Sequence, residues 1–231
     1  MVQMNGAKPR IRIKFKKIGK LQYVSHLDLV RTMHKTLVRS KLPLWYTEGF
    51  NPKPKMTFAA PLSIGTESVC EFLDVTLTES APPEEIVKAL NANMTDEMQV
   101  IEAYYPETKF TDLAWLLYTV KIRTDKASLE LAEACDKLLN SEKIEVLKNT
   151  KSGEKMVDIR PLIRSASAVL DGDMIRISAC LSADPSTFLN PEYLIKALRD
   201  HLGVLSSPDL MSEEYSIMRE RAYFADMTEF R

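Results

Sequence analysis

Cysteine is scarce in this 231-residue chain: Cys70, Cys135 and Cys180 lie far apart, and no C-x-x-C pair occurs. That pattern argues against a disulfide framework and against a zinc or iron–sulfur centre, and it predicts three buried cysteines acting as small hydrophobes. Histidine is equally sparse, with three in all. His26 and His34 fall about 12 Å apart if they share a helix. No cysteine or carboxylate cluster accompanies them, so no metal is expected. Glycine numbers only seven, and Gly49, Gly65 and Gly153 form neither a P-loop nor a G-x-G-x-x-G turn. Ser165 and Ser167 in IRSASAV sit in no nucleophile elbow. No cofactor is expected. No apolar run reaches the ~18–20 residues that span a bilayer. The opening MVQMNGAKPRIRIKF lacks the apolar core of a signal peptide, so a cytoplasmic location with no membrane partner is the expectation.

What remains is an ordinary globular composition, 45% hydrophobic and 27% charged, enough for one large or two average domains. The net charge of −1 conceals an asymmetry. Up to Lys55 there are 13 Lys and Arg against Asp28 and Glu48 alone, whereas beyond it 18 basic residues face 30 acidic ones. Such separation fits an anionic partner for the N-terminal part, or an acidic half docking on a basic one within the chain.

After a polar lead-in, Arg10–Ile18 alternates, with Ile11, Ile13 and Phe15 on one side and Arg10, Arg12, Lys14 and Lys16 on the other. That predicts a strand with one buried and one basic face. Ser25 can cap a helix over His26–Ser40, with Asp28 at its positive end. Leu27, Val30, Met33 or His34, and Leu37 are its expected core face, and Asp28, Arg31, Lys35 and Arg39 form a second row. Short strands are predicted over Leu44–Thr47 and Met56–Ala60, joined by the loop Glu48–Lys55. A loop around Gly65, a strand over Val69–Thr78, a helix opened by Pro82 and Pro83, and a strand over Met98–Tyr104 complete the first half.

The second half repeats the order. Trp115–Thr124 reads as a strand, Ala127–Asn140 as a helix and Lys143–Lys148 as a strand. Met156–Leu170 and Met174–Ser182 read as a long hairpin about the Asp171-Gly172 turn. A helix from Asn190 or Pro191 to His201, stopped by Gly203, and a strand over Glu214–Phe224 follow. The predicted fold is therefore α+β, a tandem ferredoxin-like arrangement. Each half is β-α-β-β-β-α-β, an antiparallel sheet with its helices packed on one face. The expected domains are a basic one over 1–108 that carries the main motif and an acidic one over 109–231.

One stretch has the composition of a binding surface. Tyr23, Trp45, Tyr46 and Phe50 are interleaved with Arg31, Lys35, Lys53 and Lys55, as in stacking-plus-cation sites for single-stranded nucleic acid. The alternative is that Trp45 and Phe50 fill the core under the loop. No aromatic RNP strand is present, which excludes an ordinary RRM. The candidate anion-binding residues are Arg12, Lys14, His26, Arg31, Lys35, Tyr46, Phe50, Asn51, Lys53 and Lys55. His26, at a helix N-terminus, is also the one candidate general base.

The run from Tyr23, YVSHLDLVRTMHKTLVRSKLPLWYTEGFNPKPKMTFAAPLSIGTES, followed by CEFLDV and later DIRPLI, resembles the bacterial radical-SAM-linked protein family. That family is a domain of unknown function encoded beside, or fused to, radical SAM proteins. The similarity covers most of the chain and is densest across residues 21–75. It implies a radical SAM protein as partner. The three-cysteine cluster motif of the radical SAM enzyme is absent, so this chain is not expected to cleave SAM. Three readings follow. The first is a noncatalytic partner or substrate-handling module that binds RNA or a ribonucleoprotein through the basic, aromatic N-terminal surface. The second is a metal-independent RNA-processing enzyme with His26 as base, similar in architecture to the CRISPR repeat-processing endoribonucleases. The third is a pure protein-interaction subunit.

Overall fold

The alternation at the N-terminus does form a strand, β1 (Arg10–Lys17), with Ile11, Ile13 and Phe15 fully buried. The structure, a computed structural model, describes residues 8–150, 153–207 and 212–231; the polar lead-in expected before β1 lies mostly outside them. The chain divides into two compact units, one running to Phe110 and including Arg231, the other Thr111–Phe230. Among the described residues there are four α-helices and ten strands, and the pairings within each unit are antiparallel.

In the first unit β1 is followed by a 3-10 turn and helix α1 (His26–Arg39), then by β2 (Met56–Phe58) and β3 (Thr66–Thr76). Helix α2 (Pro83–Asn91) and β4 (Val100–Tyr104) complete it. The strand order is β4-β1-β3-β2. Ser25 caps α1 as expected: its Oγ accepts the Asp28 N–H at 3.2 Å and donates to the Asp28 carboxylate at 2.7 Å, a reciprocal cap. Leu29, Met33 and Leu37 of α1 and Ile86 and Leu90 of α2 pack on Ile11, Ile13 and Phe15 of β1 and Leu73 and Val75 of β3. Both helices therefore cover the same face of this sheet.

Two expectations for α1 and its surroundings are corrected. Leu27 is exposed, and the buried set is Leu29, Met33, Thr36 and Leu37. The three- and four-residue rows starting at 27 and at 29 are both apolar in part, and only the sheet decides which one turns inward. The predicted strand over Leu44–Thr47 is reduced to single bridges, Leu44 to Leu77 and Tyr46 to Pro54. The proline lacks a donor with which to extend the ladder.

In the second unit β5 (Trp115–Arg123), α3 (Leu129–Leu139), β6 (Glu145–Thr150), β7 (Gly153–Asp158), β8 (Ile163–Asp171), β9 (Met174–Ser182), α4 (Glu192–Leu202) and β10 (Glu214–Tyr223) follow in turn. The main sheet has the order β10-β5-β9-β8, and β6 with β7 makes a separate two-stranded ribbon. The single long strand expected over Met156–Leu170 is two strands, because Pro161 in the 3-10 turn Arg160–Leu162 breaks the extended backbone. Helix α4 ends on Gly203 at φ 67°, a left-handed position suited to glycine. Ala132, Cys135 and Leu139 of α3 and Leu194, Ile195 and Leu198 of α4 are buried, and the two helices touch each other. All three cysteines are free and buried. Burial pushes the Cys135 thiol up to about 11. Helix α3 bonds the free edge of β8 at two positions: Asp136 accepts the Ala168 N–H at 3.0 Å, and the Asn140 side-chain amide donates to the Ala166 carbonyl at 3.2 Å.

Candidate functional site

The basic residues of the first unit separate by whether the protein meets their charge internally. On β1 the even-numbered side chains point away from the helices, because Ile11, Ile13 and Phe15 occupy the helix-covered face. Arg12 is wholly buried there. Its Nε donates to Asp74 Oδ1 at 2.7 Å and its second terminal nitrogen to Asp74 Oδ2 at 3.0 Å. Thr108 Oγ1 accepts at 2.9 Å, and the guanidinium lies 4.3 Å from the centre of the Phe110 ring. Arg12 is thus a structural residue, which corrects its assignment to an anion-binding surface. Lys14 sits half-buried with its ammonium 5.9 Å from the Phe72 ring, on that same far face. It does not join the cations of α1 and the loop, because strand alternation sends it the other way.

The segment after α1 folds back on itself as an irregular hairpin. Thr47 N–H donates to the Lys53 carbonyl at 2.8 Å, Lys55 N–H to the Trp45 carbonyl at 2.9 Å, and Lys53 N–H to Thr47 Oγ1 at 3.2 Å. Gly49, at φ 120° with open space around it, takes a backbone conformation that side chains disfavour and lets the tip turn. Phe50 stands at this tip completely exposed, beside exposed Asn51. Trp45 is half-buried and held between two cations, Lys8 at 4.2 Å and Lys55 at 4.5 Å from its ring centre. Lys55 is thereby engaged, by a cation–π contact.

Between the exposed side of α1 and this hairpin lies a groove of about 330 Å³. Val38, Tyr46, Pro52 and Pro54 supply its apolar wall, and Lys35, Arg39 and Lys53 supply its charge. These three side chains are exposed, and among the described residues none of them forms a salt bridge or a side-chain hydrogen bond. Lys35 and Arg39 lie one turn apart on α1, about 6 Å along its axis, with Lys53 on the opposing loop. His34 completes the wall. Its pKa is held below the ordinary histidine value, first by burial and then by the Lys53 charge, against a hydrogen bond to the Pro54 backbone.

The remaining sequence candidates fall around this groove. Arg31 donates to Asp28 at 3.0 Å, an exposed pair that neutralises it. His26 is exposed at the start of α1, its ring edge-on to Phe58 at 5.2 Å, and it does not line the groove. Lys35, Tyr46 and Lys53 are brought together; Phe50 and Asn51 sit at the loop tip; Arg12, Lys14, His26, Arg31 and Lys55 are elsewhere or engaged. His34, Val38 and Arg39 were absent from the sequence-derived site. The signal for them was present, since 34, 35, 38 and 39 occupy one helical face at three- and four-residue spacing.

A second cavity, of about 1000 Å³, belongs to the second unit. Asp112, Asp184 and Asp226 line it with Trp115 and Phe224. Asp184 accepts from Ser186 N–H at 2.7 Å and Ser186 Oγ at 2.6 Å. Asp226 accepts in the same way from Thr228, at 2.9 and 2.6 Å. Both carboxyls are held below their usual pKa by these bonds. Among the described residues no group of His, Cys, Asp and Glu could hold a metal, and no helix is long and apolar enough to cross a membrane.

Residues 10–191 match the model of a family described as "Uncharacterized protein conserved in bacteria (DUF2344)". No curated protein matches the chain. Among solved structures, one described as an unknown protein from Galdieria sulphuraria is similar over 92% of this chain and 99% of its own, at 11% identity and a TM-score of 0.26. The chain belongs to the uncharacterized bacterial family that spans residues 10–191.

Proposed function

We propose that this member of an uncharacterized bacterial family is a noncatalytic module that binds RNA, free or in a ribonucleoprotein, through the groove between α1 and the 45–55 hairpin. The observation that carries the reading is the set of Lys35, Arg39 and Lys53, three exposed cations that form no salt bridge among the described residues. Unmet positive charge around an apolar, aromatic wall suits phosphate on the rim and a base against Tyr46. Phe50, fully exposed at the loop tip, offers a second ring on which a base could stack. The resemblance across residues 21–75 to the radical-SAM-linked family supports a radical SAM enzyme as the recipient of the bound RNA. Each unit we read as ferredoxin-like; the strand orders β4-β1-β3-β2 and β10-β5-β9-β8, with both helices of the first unit on one face, support that reading.

The test is fluorescence anisotropy of short single-stranded RNA across a salt series. Binding at low salt that weakens steeply with salt, and flattens in the triple variant Lys35→Gln/Arg39→Gln/Lys53→Gln, is the expected result. Absence of binding at low salt, or binding untouched by the triple substitution, ends this reading. Copurification with a radical SAM protein that survives ribonuclease and the triple substitution would instead make the chain a protein-interaction subunit.

A further inference from the structure

We infer that the groove seats a phosphomonoester-bearing end of RNA, one terminal nucleotide, rather than the interior of a strand. This inference rests on the RNA-binding reading and narrows it. A surface that follows a single strand combines stacking rings with a positive groove that tracks several phosphates in succession. Here three exposed cations that are unpaired among the described residues line a single cavity, and exposed Lys41, just past Arg39, lies outside it. Toward the N-terminal end of α1 the next cation, Arg31, is neutralised by Asp28. Along the hairpin, Lys55 is drawn onto Trp45, and Glu48 adds a negative charge near the tip. Arg12 and Lys14 lie on the far face of the sheet. In the groove, Lys35, Arg39 and Lys53 all line one cavity of about 330 Å³. That is the small end of the range for ligand pockets, about 300–1,000 Å³.

Three cations on one small cavity are mismatched to a diester, which brings a single negative charge. A phosphomonoester carries about −1.5 to −2 at neutral pH and three acceptor oxygens. The flat wall of Tyr46, Pro52 and Pro54 then meets the ring of the same nucleotide. An RNA end and a free nucleoside monophosphate share this chemistry, so the experiment must separate them.

Anisotropy on the intact protein would compare one RNA sequence made with a 5′-phosphate, with a 3′-phosphate, and with hydroxyls at both ends. Adenosine and uridine monophosphates would serve as competitors. The expected result is that one phosphorylated RNA binds about tenfold more tightly than the hydroxyl-ended RNA, from the second charge beside the cluster. That advantage should vanish in Lys53→Gln, while a monophosphate alone competes only weakly. Equal binding of all three RNAs overturns the terminal seat and leaves the RNA reading standing. Tight binding of the monophosphate with no binding of any RNA keeps the phosphomonoester seat but assigns it to a free nucleotide and removes the RNA reading. No binding by any probe removes both.

Discussion

The two cavities differ in size and sign, and the smaller one is the better candidate. The larger, in the second unit, is lined by three aspartates, but Asp184 and Asp226 are already bonded by the serine and threonine two residues on. Their charge is stabilised within their own turns. The smaller, in the first unit, is rimmed by Lys35, Arg39 and Lys53, for which no such partner exists among the described residues. Volume therefore says where a ligand would fit, and unmet charge says where one is wanted. The same contrast recurs inside the first unit between Arg12, fully answered by Asp74 and Thr108, and the groove cations.

The strongest way to sharpen the comparison is to remove an answered charge. Arg12→Ala leaves buried Asp74 with only the half-exposed Arg10, 3.4 Å away, as an ion-pair partner, and urea denaturation should register a loss of about 3 kcal/mol. If stability moves by less than about 1 kcal/mol, the division between structural and available cations fails. Next in size, the triple substitution of Lys35, Arg39 and Lys53 to Gln should weaken RNA binding on the order of a hundredfold and reduce the salt slope by about 2. Stability should stay within about 0.5 kcal/mol per site, as expected for exposed positions away from the core. Asp184→Asn with Asp226→Asn should leave RNA affinity unchanged; a comparable loss there would make the larger cavity the site. Tyr46→Ala should cost about 1–3 kcal/mol of binding if a base stacks on it, measured by the same anisotropy.

The smallest expected effect is a pH dependence through His34. Its folded pKa lies below the ordinary 6.5, burial being the first cause and Lys53 the second. The unfolded chain then binds more protons than the folded one, so stability is full above that ordinary value and declines as pH falls through the folded value. Chemical denaturation between neutral and mildly acidic pH should show this slope in the parent and lose it in His34→Gln. A slope of the same size in both would assign it to other groups.

Much of this architecture was legible in the chain itself. Ser25, Pro83 and Gly203 mark helix ends by local chemistry that needs no tertiary context, and the Asp171-Gly172 turn sets its hairpin. The core face of α1 was not legible, because two overlapping apolar rows compete and the sheet chooses between them. Nor was the fate of each cation. Alternation along β1 showed that Arg12 and Ile11 point in opposite directions, but not that Asp74 waits on the far face. Composition points to Lys35 and Lys53, and helical spacing puts Arg39 and His34 on the same face as Lys35, but only the fold shows that the hairpin bearing Lys53 lies along that face.

The bonds from α3 to β8 carry a consequence for assembly. A terminal strand with bare amides is a template on which another chain can add itself. Asp136 and Asn140 occupy two of those positions, at Ala168 and Ala166, with side chains that present no further ladder to copy. At those two positions strand addition is hindered while α3 stays seated, and growth of a fibre across them would have to begin by displacing these side chains.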